Sequence, residues 1–234
     1  MRKAVLFDLD DTISDHQYSR RSALASLLEH YPGVIERDIK KLELIHERHL
    51  QASFDDLLAG TIKRADARRD RIRGLFREIG YPLSEEDLIR ANEIYRSAYD
   101  AIRRAVPGVV PVINALKETM KIAIVTNGLG MRQEEKIRLC GLEGHFDAIV
   151  TSEKVGVKKP HRAIFDAALA ALNVSASETV MFGDSWKSDV LGARNAGIHA
   201  VWFNRYDETC PDPNLAAEVT SLEPTDTIVS LLKG

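Results

Sequence analysis

Val5-Leu6-Phe7-Asp8-Leu9-Asp10-Asp11-Thr12-Ile13-Ser14-Asp15 is the stretch whose reading decides the fold. An apolar run from Val5 to Phe7, bounded by polar residues, predicts a short buried strand. Asp8, Asp10 and Asp11 crowd its end. Like charges this close raise one another's pKa unless a cation or hydrogen-bond donors neutralise them. A hard divalent cation such as Mg2+, which takes oxygen ligands, is the natural partner. Taken alone, the same residues also read as an acidic loop ahead of a helix, so the rest of the chain must decide.

Composition narrows the choice. The 234 residues are 44% hydrophobic and 29% charged, an ordinary globular balance with enough chain for a proper core. Lys and Arg total 32 against 35 Asp and Glu, a formal charge of -3. No basic footprint for nucleic acid results. Cys140 and Cys210 lie far apart and in no metal-ligand spacing. They predict no disulfide framework and point to a reducing, cytoplasmic setting. The apolar run after Met1 is too short for a signal peptide, and none is long enough to span a bilayer. The expectation is a soluble protein with no nucleic-acid or membrane partner, as a monomer or homodimer.

Working outward, residues 15–104 carry helical periodicity and no convincing strand. Ala23, Leu24, Leu27 and Leu28 share one face, and Ile72, Leu75 and Phe76 share another. Gly80-Tyr81-Pro82 breaks the pattern, and Ser84 with Glu86 and Asp87 opens the next helix. From Pro107 the pattern alternates. Strands are predicted at Lys121–Val125, Asp147–Thr151, Thr179–Phe182 and Ala200–Phe203, with a short edge strand at Glu218–Ser221. Helices are predicted at Val109–Glu118, Arg132–Cys140, Ala163–Leu172, Asp189–Ala196 and Thr227–Leu232. Such alternation implies an α/β fold, a Rossmann-like parallel sheet with helices on both faces. Residues 1–14 and 105–234 form this expected core, and 15–104 an inserted all-helical domain.

Ligands of open α/β sheets bind beyond the carboxyl ends of the strands, and the polar clusters follow that rule. Asp8 and Asp10 follow the first strand, Thr126 and Asn127 the second, Lys158 and Lys159 the third, and Gly183-Asp184-Ser185 the fourth. These four motifs, in this order over nearly the whole chain, resemble the haloacid dehalogenase-like hydrolase superfamily, most of whose members are phosphatases.

The resemblance implies roles. Asp8 would be the nucleophile that carries an aspartyl-phosphate. Asp10 would protonate the leaving alcohol and later deprotonate water. Thr126, Asn127 and Lys159 would bind the phosphoryl oxygens. Mg2+ would be held by Asp8, Asp184 and the backbone carbonyl of Asp10, with Asp189 and Ser185 supporting from behind. Lys159, directly before Pro160, matches the family lysine, and Lys158 is read as surface. Where many relatives continue with an acidic residue and a second proline, this chain has His161-Arg162. The helical insert is similar to the family's small cap, with Tyr18, Arg20 and Arg21 as candidate substrate contacts. The segments from Thr126 to Lys136 and from Ala200 to Asn204 look like the branch of nucleotide 5'-monophosphatases and acylneuraminate 9-phosphate phosphatases. The expected substrate is therefore a small phosphorylated metabolite, either a nucleoside 5'-monophosphate or a sugar phosphate. A sugar phosphomutase shares the motifs, and the alternatives further off are a haloacid dehalogenase and a non-enzymatic binding module. Family dehalogenases lack an acid at the Asp10 position, and a binding module is expected to have lost a core residue.

Overall fold

The computed structural model describes residues 2–128 and 131–234. Positions 129 and 130, inside the segment quoted for the nucleotidase likeness, lie outside them. Strand β1 (Ala4–Phe7) is buried along its whole length, as its apolar run requires. The chain then leaves the sheet for five helices: α1 (His16–Glu29), α2 (Ile39–Ala52), α3 (Phe54–Leu58), α4 (Arg64–Glu78) and α5 (Glu85–Ala101).

Helix α2 starts where the Asp38 side chain accepts from the backbone N–H groups of Lys40 and Lys41. Helix α5 starts where Ser84 accepts from Asp87 N–H, with three acids in the first turn to meet the helix dipole. α1 packs on α5 and α2 on α4, around Leu24, Leu27, Leu42, Ile72, Phe76 and Leu88. Two buried polar side chains stand out. The Lys63–Arg73 charge run reads as a solvated face, yet Arg71 turns inward and its buried Nε has no hydrogen-bond partner among the described residues. His46, on the apolar face of α2, is buried with neither ring nitrogen partnered among the described residues. Both lie within a unit of residues His16–Arg103.

The other compact unit joins Met1–Asp15 to Arg104–Gly234. Its chain leaves and returns side by side. Ser14 pairs antiparallel with Ala105, and Asp15 N–H donates to the Arg104 carbonyl at 3.0 Å. The buried Asp15 carboxylate accepts from Arg104 Nε at 2.9 Å and from an Arg205 nitrogen at 3.2 Å. After the return come α6 (Val109–Lys117), β2 (Lys121–Thr126), α7 (Met131–Leu139), β3 (Ala148–Thr151), α8 (Ser152–Val155) and α9 (Arg162–Leu172). Then β4 (Thr179–Gly183), a π-helical turn (Trp186–Val190), α10 (Leu191–Asn195), β5 (His199–Phe203), β6 (Ala217–Val219) and α11 (Thr225–Lys233) complete the unit.

All the strands are parallel, in the order β3-β2-β1-β4-β5-β6. The period-two alternation of side chains sorts two cores onto the two faces. Val5, Phe7, Ile122, Ile124, Phe182 and Phe203 meet α6 and α11, whereas Leu6, Ala123, Val125, Met181 and Trp202 meet α9 and α10. In this order the connections diverge between β1 and β4, where doubly wound sheets bind ligands. Asp8 and Asp184 therefore flank the crevice. Among the described residues no helix is long and apolar enough to cross a membrane.

Candidate active site

The loop after β1 is built by backbone bonds. Ile13 and Ser14 N–H both return to the Leu9 carbonyl, and Asp11 N–H reaches the Ser14 carbonyl at 2.7 Å. Asp11 takes a left-handed conformation, φ 63°, which a short acidic side chain tolerates. Asp8 N–H stays on the sheet, donating to the Phe182 carbonyl at 3.0 Å. Thr12 has a use that the sequence did not reveal. Fully buried, its hydroxyl donates to Asp184 Oδ1 at 3.3 Å and accepts from Asp184 N–H at 3.1 Å, tying the first motif to the fourth.

Lys159 lies between the carboxylates. Its buried Nζ donates to Asp8 Oδ1 at 2.6 Å and to Asp189 Oδ1 at 2.7 Å. Asn127 holds that lysine's loop from both sides. Its side-chain oxygen accepts from Lys159 N–H at 2.6 Å and its Nδ2 donates to the Lys159 carbonyl at 3.2 Å. The Asn127 side chain, expected on the phosphoryl group, is thus engaged in coupling the second loop to the third. Thr126 Oγ1 accepts from Gly128 N–H at 3.0 Å, which leaves its own O–H available as a donor.

The fourth motif needs a glycine. A Cβ on Gly183 would stand 2.3 Å from Asp189 Oδ2. Bare backbone there lets the Asp189 carboxylate lean over the end of β4, where Oδ2 accepts from Ser185 N–H at 3.0 Å. The helix expected from Asp189 instead begins earlier, as the π-helical turn that Ser185 caps by accepting from Ser188 N–H. The wider turn brings Asp189 inward, and a single extra residue per turn leaves little periodic trace in a short segment. Trp186 packs edge-on against Trp202 at 5.2 Å, and Trp202 Nε1–H donates to the Asp184 carbonyl at 2.7 Å.

Charge is concentrated here. Ligand oxygens of Asp8, Asp184 and Asp189 all lie within 4.8 Å of one another. Burial pushes the Asp8 carboxyl up to about 7, against the pull of Lys159 and with a further push from Asp189. Desolvation, then Asp8 and Asp189, raise Asp184 well above the usual carboxylate range. Burial opposes the charge on Lys159, but Asp189 and Asp8 outweigh it and hold the ammonium above its ordinary value. One ammonium does not satisfy this many carboxylates, and an oxygen-rich cluster short of positive charge fits a hard divalent cation.

Asp10 stands apart from that cluster. Both its carboxylate oxygens accept from Lys136 Nζ, at 2.5 and 2.8 Å. Lys136 is buried on α7, and its link to Asp10 was not foreseen from sequence. Neither was the Tyr206 hydroxyl, which donates to Asp11 Oδ1 at 3.1 Å. Lys158 is only half-buried. Within the helical unit, Arg20 pairs with Glu43 and Glu47, Arg21 pairs with Glu43, and Tyr18 is exposed.

Comparison with known proteins accords with this geometry. A family model described as haloacid dehalogenase-like hydrolase matches residues 2–197. Glyceraldehyde 3-phosphate phosphatase of Pyrococcus abyssi is 34% identical over 212 residues, covering 87% of this chain and 82% of that protein. Pyrimidine 5'-nucleotidase YjjG of Escherichia coli is 38% identical over 143 residues, 61% of this chain and 60% of that one. Among solved structures, the HAD-hydrolase YfnB of Bacillus subtilis, bound to magnesium, superposes with a TM-score of 0.76 at 26% identity, covering 98% of this chain and 99% of that one.

Proposed function

Given that the chain belongs to the haloacid dehalogenase-like hydrolases, we propose that it is a magnesium-dependent phosphomonoesterase acting on a small phosphorylated metabolite. The observation that carries this reading is the buried Asp8 carboxylate held by Lys159, with a second aspartate, Asp10, two residues on. A carbon–halogen hydrolase needs no acid for a halide leaving group; an ester of an alcohol does.

Asp8 attacks phosphorus through the oxygen not held by Lys159, and the bond from phosphorus to the substrate oxygen breaks. Asp10 gives its proton to the departing alkoxide. It then takes a proton from the water that attacks the aspartyl-phosphate, which restores Asp8 and releases inorganic phosphate. The Thr126 hydroxyl and the Lys159 ammonium bind the equatorial oxygens as a fixed donor and a fixed charge. Asn127 sets the Lys159 loop. Asp8 and Asp184, with the Asp10 carbonyl, are the groups to hold magnesium. Asp189, both of whose oxygens serve Lys159 and Ser185, supports from behind. When bound, the ion neutralises charge on the carboxylates and on the phosphoryl group.

The helical unit acts as a cap that excludes water and selects the substrate. Relatives named for a triose phosphate and for pyrimidine nucleotides support a sugar phosphate or a nucleoside 5'-monophosphate as the substrate class. Neither cysteine forms a disulfide, which supports a cytoplasmic setting. The test is phosphate release from a panel of sugar phosphates and mononucleotides, with magnesium, with chelator, and for Asp8→Asn. Release is expected only from the wild type with magnesium. Equal release in all three conditions overturns the mechanism.

A further inference from the structure

Helix α7 buries a polar face. Among its described side chains, Gln133, Lys136 and Ile137 face inward, with Cys140 one turn on, the spacing of an amphipathic helix. Where apolar side chains would suffice, the first two are an amide and an ammonium. Burying such groups costs free energy, and buried ion pairs are often no more stabilising than hydrophobic residues of the same volume. Stability alone does not call for a lysine there.

Its surroundings suggest a use. Lys136 Nζ reaches both oxygens of Asp10, so the carboxylate is held at two points rather than one. The helix carrying it is seated on the loop after β2: a Cβ on Gly128 would lie 2.1 Å from the Gln133 amide nitrogen. Gln133 Oε1 is buried with no partner among the described residues, and its amide packs close against the bare backbone of Gly128. Lys136 is therefore carried on a helix packed against Gly128, two residues beyond Thr126 at the end of β2.

We propose that Lys136 is a positioning residue, which holds the Asp10 carboxyl group at the angle from which it exchanges a proton with the leaving oxygen. The proposal rests on the phosphatase reading above. A carboxylate offers about four lone-pair sites, and the ammonium occupies one on each oxygen. When a proton sits on one oxygen, the other still accepts from Lys136. The same anchor thus serves Asp10 as acid toward the leaving alkoxide and as base toward water. Without it, the Asp10 carboxylate loses a two-point anchor, and a smaller share of its rotamers faces the ester.

The discriminating experiment compares two esters in single-turnover rapid-quench measurements of leaving-group release, with magnesium present. p-Nitrophenyl phosphate loses a stabilised phenolate that needs no proton, whereas glycerol phosphate loses an alkoxide that does. A positioned acid gives about 10²–10⁴-fold, so Lys136→Met is expected to slow alcohol release about 10- to 100-fold and phenolate release about threefold or less. Lys136→Arg restores the cation, so it should recover most of the alcohol rate. If both esters slow equally, or neither slows, or arginine rescues neither, the inference is overturned. Asp8→Asn, run alongside, abolishes release from both esters if the phosphatase reading holds. Retained release in that variant sinks the underlying reading instead, so the two failures are distinguishable.

Discussion

Asp8→Asn should abolish activity and, in chelator at alkaline pH, stabilise the protein. The structure holds Asp8 up to about 7 against an ordinary 3.8, chiefly through burial. At about 1.4 kcal/mol per pH unit, the ionised side chain disfavours the native state by about 4 kcal/mol once both folded and unfolded forms are ionised. The sign follows from the direction. Below pH 3.8 Asp8 is protonated in both states and costs nothing. Between 3.8 and about 7 the unfolded chain releases the proton and the folded one keeps it, so stability drains away as pH rises. Asparagine has nearly the shape of the protonated acid and does not titrate. Linkage therefore predicts that the stability advantage of Asp8→Asn over wild type grows by about 3 kcal/mol from pH 5 to pH 8. Urea unfolding of both proteins in chelator at the two pH values measures it. Millimolar magnesium at pH 8 should erase most of the advantage, because the cation binds the wild-type cluster and stabilises only the native state. An advantage that is flat with pH in chelator would refute the reasoning, because it would mean that the buried carboxylate is already neutralised within the protein.

Gly183→Ala places a methyl group 2.3 Å from Asp189 Oδ2; displacement of that carboxylate should cost about 1–3 kcal/mol by urea unfolding and lower kcat. Unchanged kcat would show that Asp189 need not lean over β4. Thr126→Val removes the free hydroxyl donor and should reduce kcat/KM about 10²-fold, while Thr126→Ser keeps most of it, in steady-state phosphate release. His46 is held well below the usual histidine range by burial, then by Arg71 and Arg20. Because it stays neutral when folded but charges when unfolded, stability should fall as pH drops below about 6.5. His46→Leu should flatten that dependence and add about 1 kcal/mol or more at neutral pH by removing two unpartnered nitrogens. Thermal unfolding from pH 7.5 to 5 checks both.

The sequence carried most of the sheet because burial leaves a mark that periodicity can read. Val5–Phe7, Lys121–Val125 and Thr179–Phe182 are largely apolar runs followed by polar residues or glycine, and they lie within three adjacent central strands. The four strand-end motifs were legible for the same reason. Side-chain pairings across long separations were not. Nothing near Asp10 announces Lys136, and nothing near Thr12 announces Asp184, because those contacts exist only once β1 lies between β2 and β4. The π-helical turn at Trp186 escaped too, since one added residue does not disturb a pattern this short. His46 and Arg71 show the converse limit: the helical spacing of Leu42, Ile45 and His46 places the histidine on an inward face, while nothing in a charged run says that Arg71 joins the interior.

The paired crossings at Ser14–Ala105 and Asp15–Arg104 carry a further consequence, one for engineering. A whole helical unit enters and leaves the core through a single doorway, its two jambs 3.0 Å apart and latched by the Asp15 carboxylate. Closing a longer insert at a fixed doorway costs only about 0.6 kcal/mol per doubling of its length. The core can therefore host inserts of very different size without redrawing the strand ends that carry its chemistry. Conversely, a tight turn joining Asp15 directly to Arg104 should yield a core that folds with β1 still in the middle of its sheet.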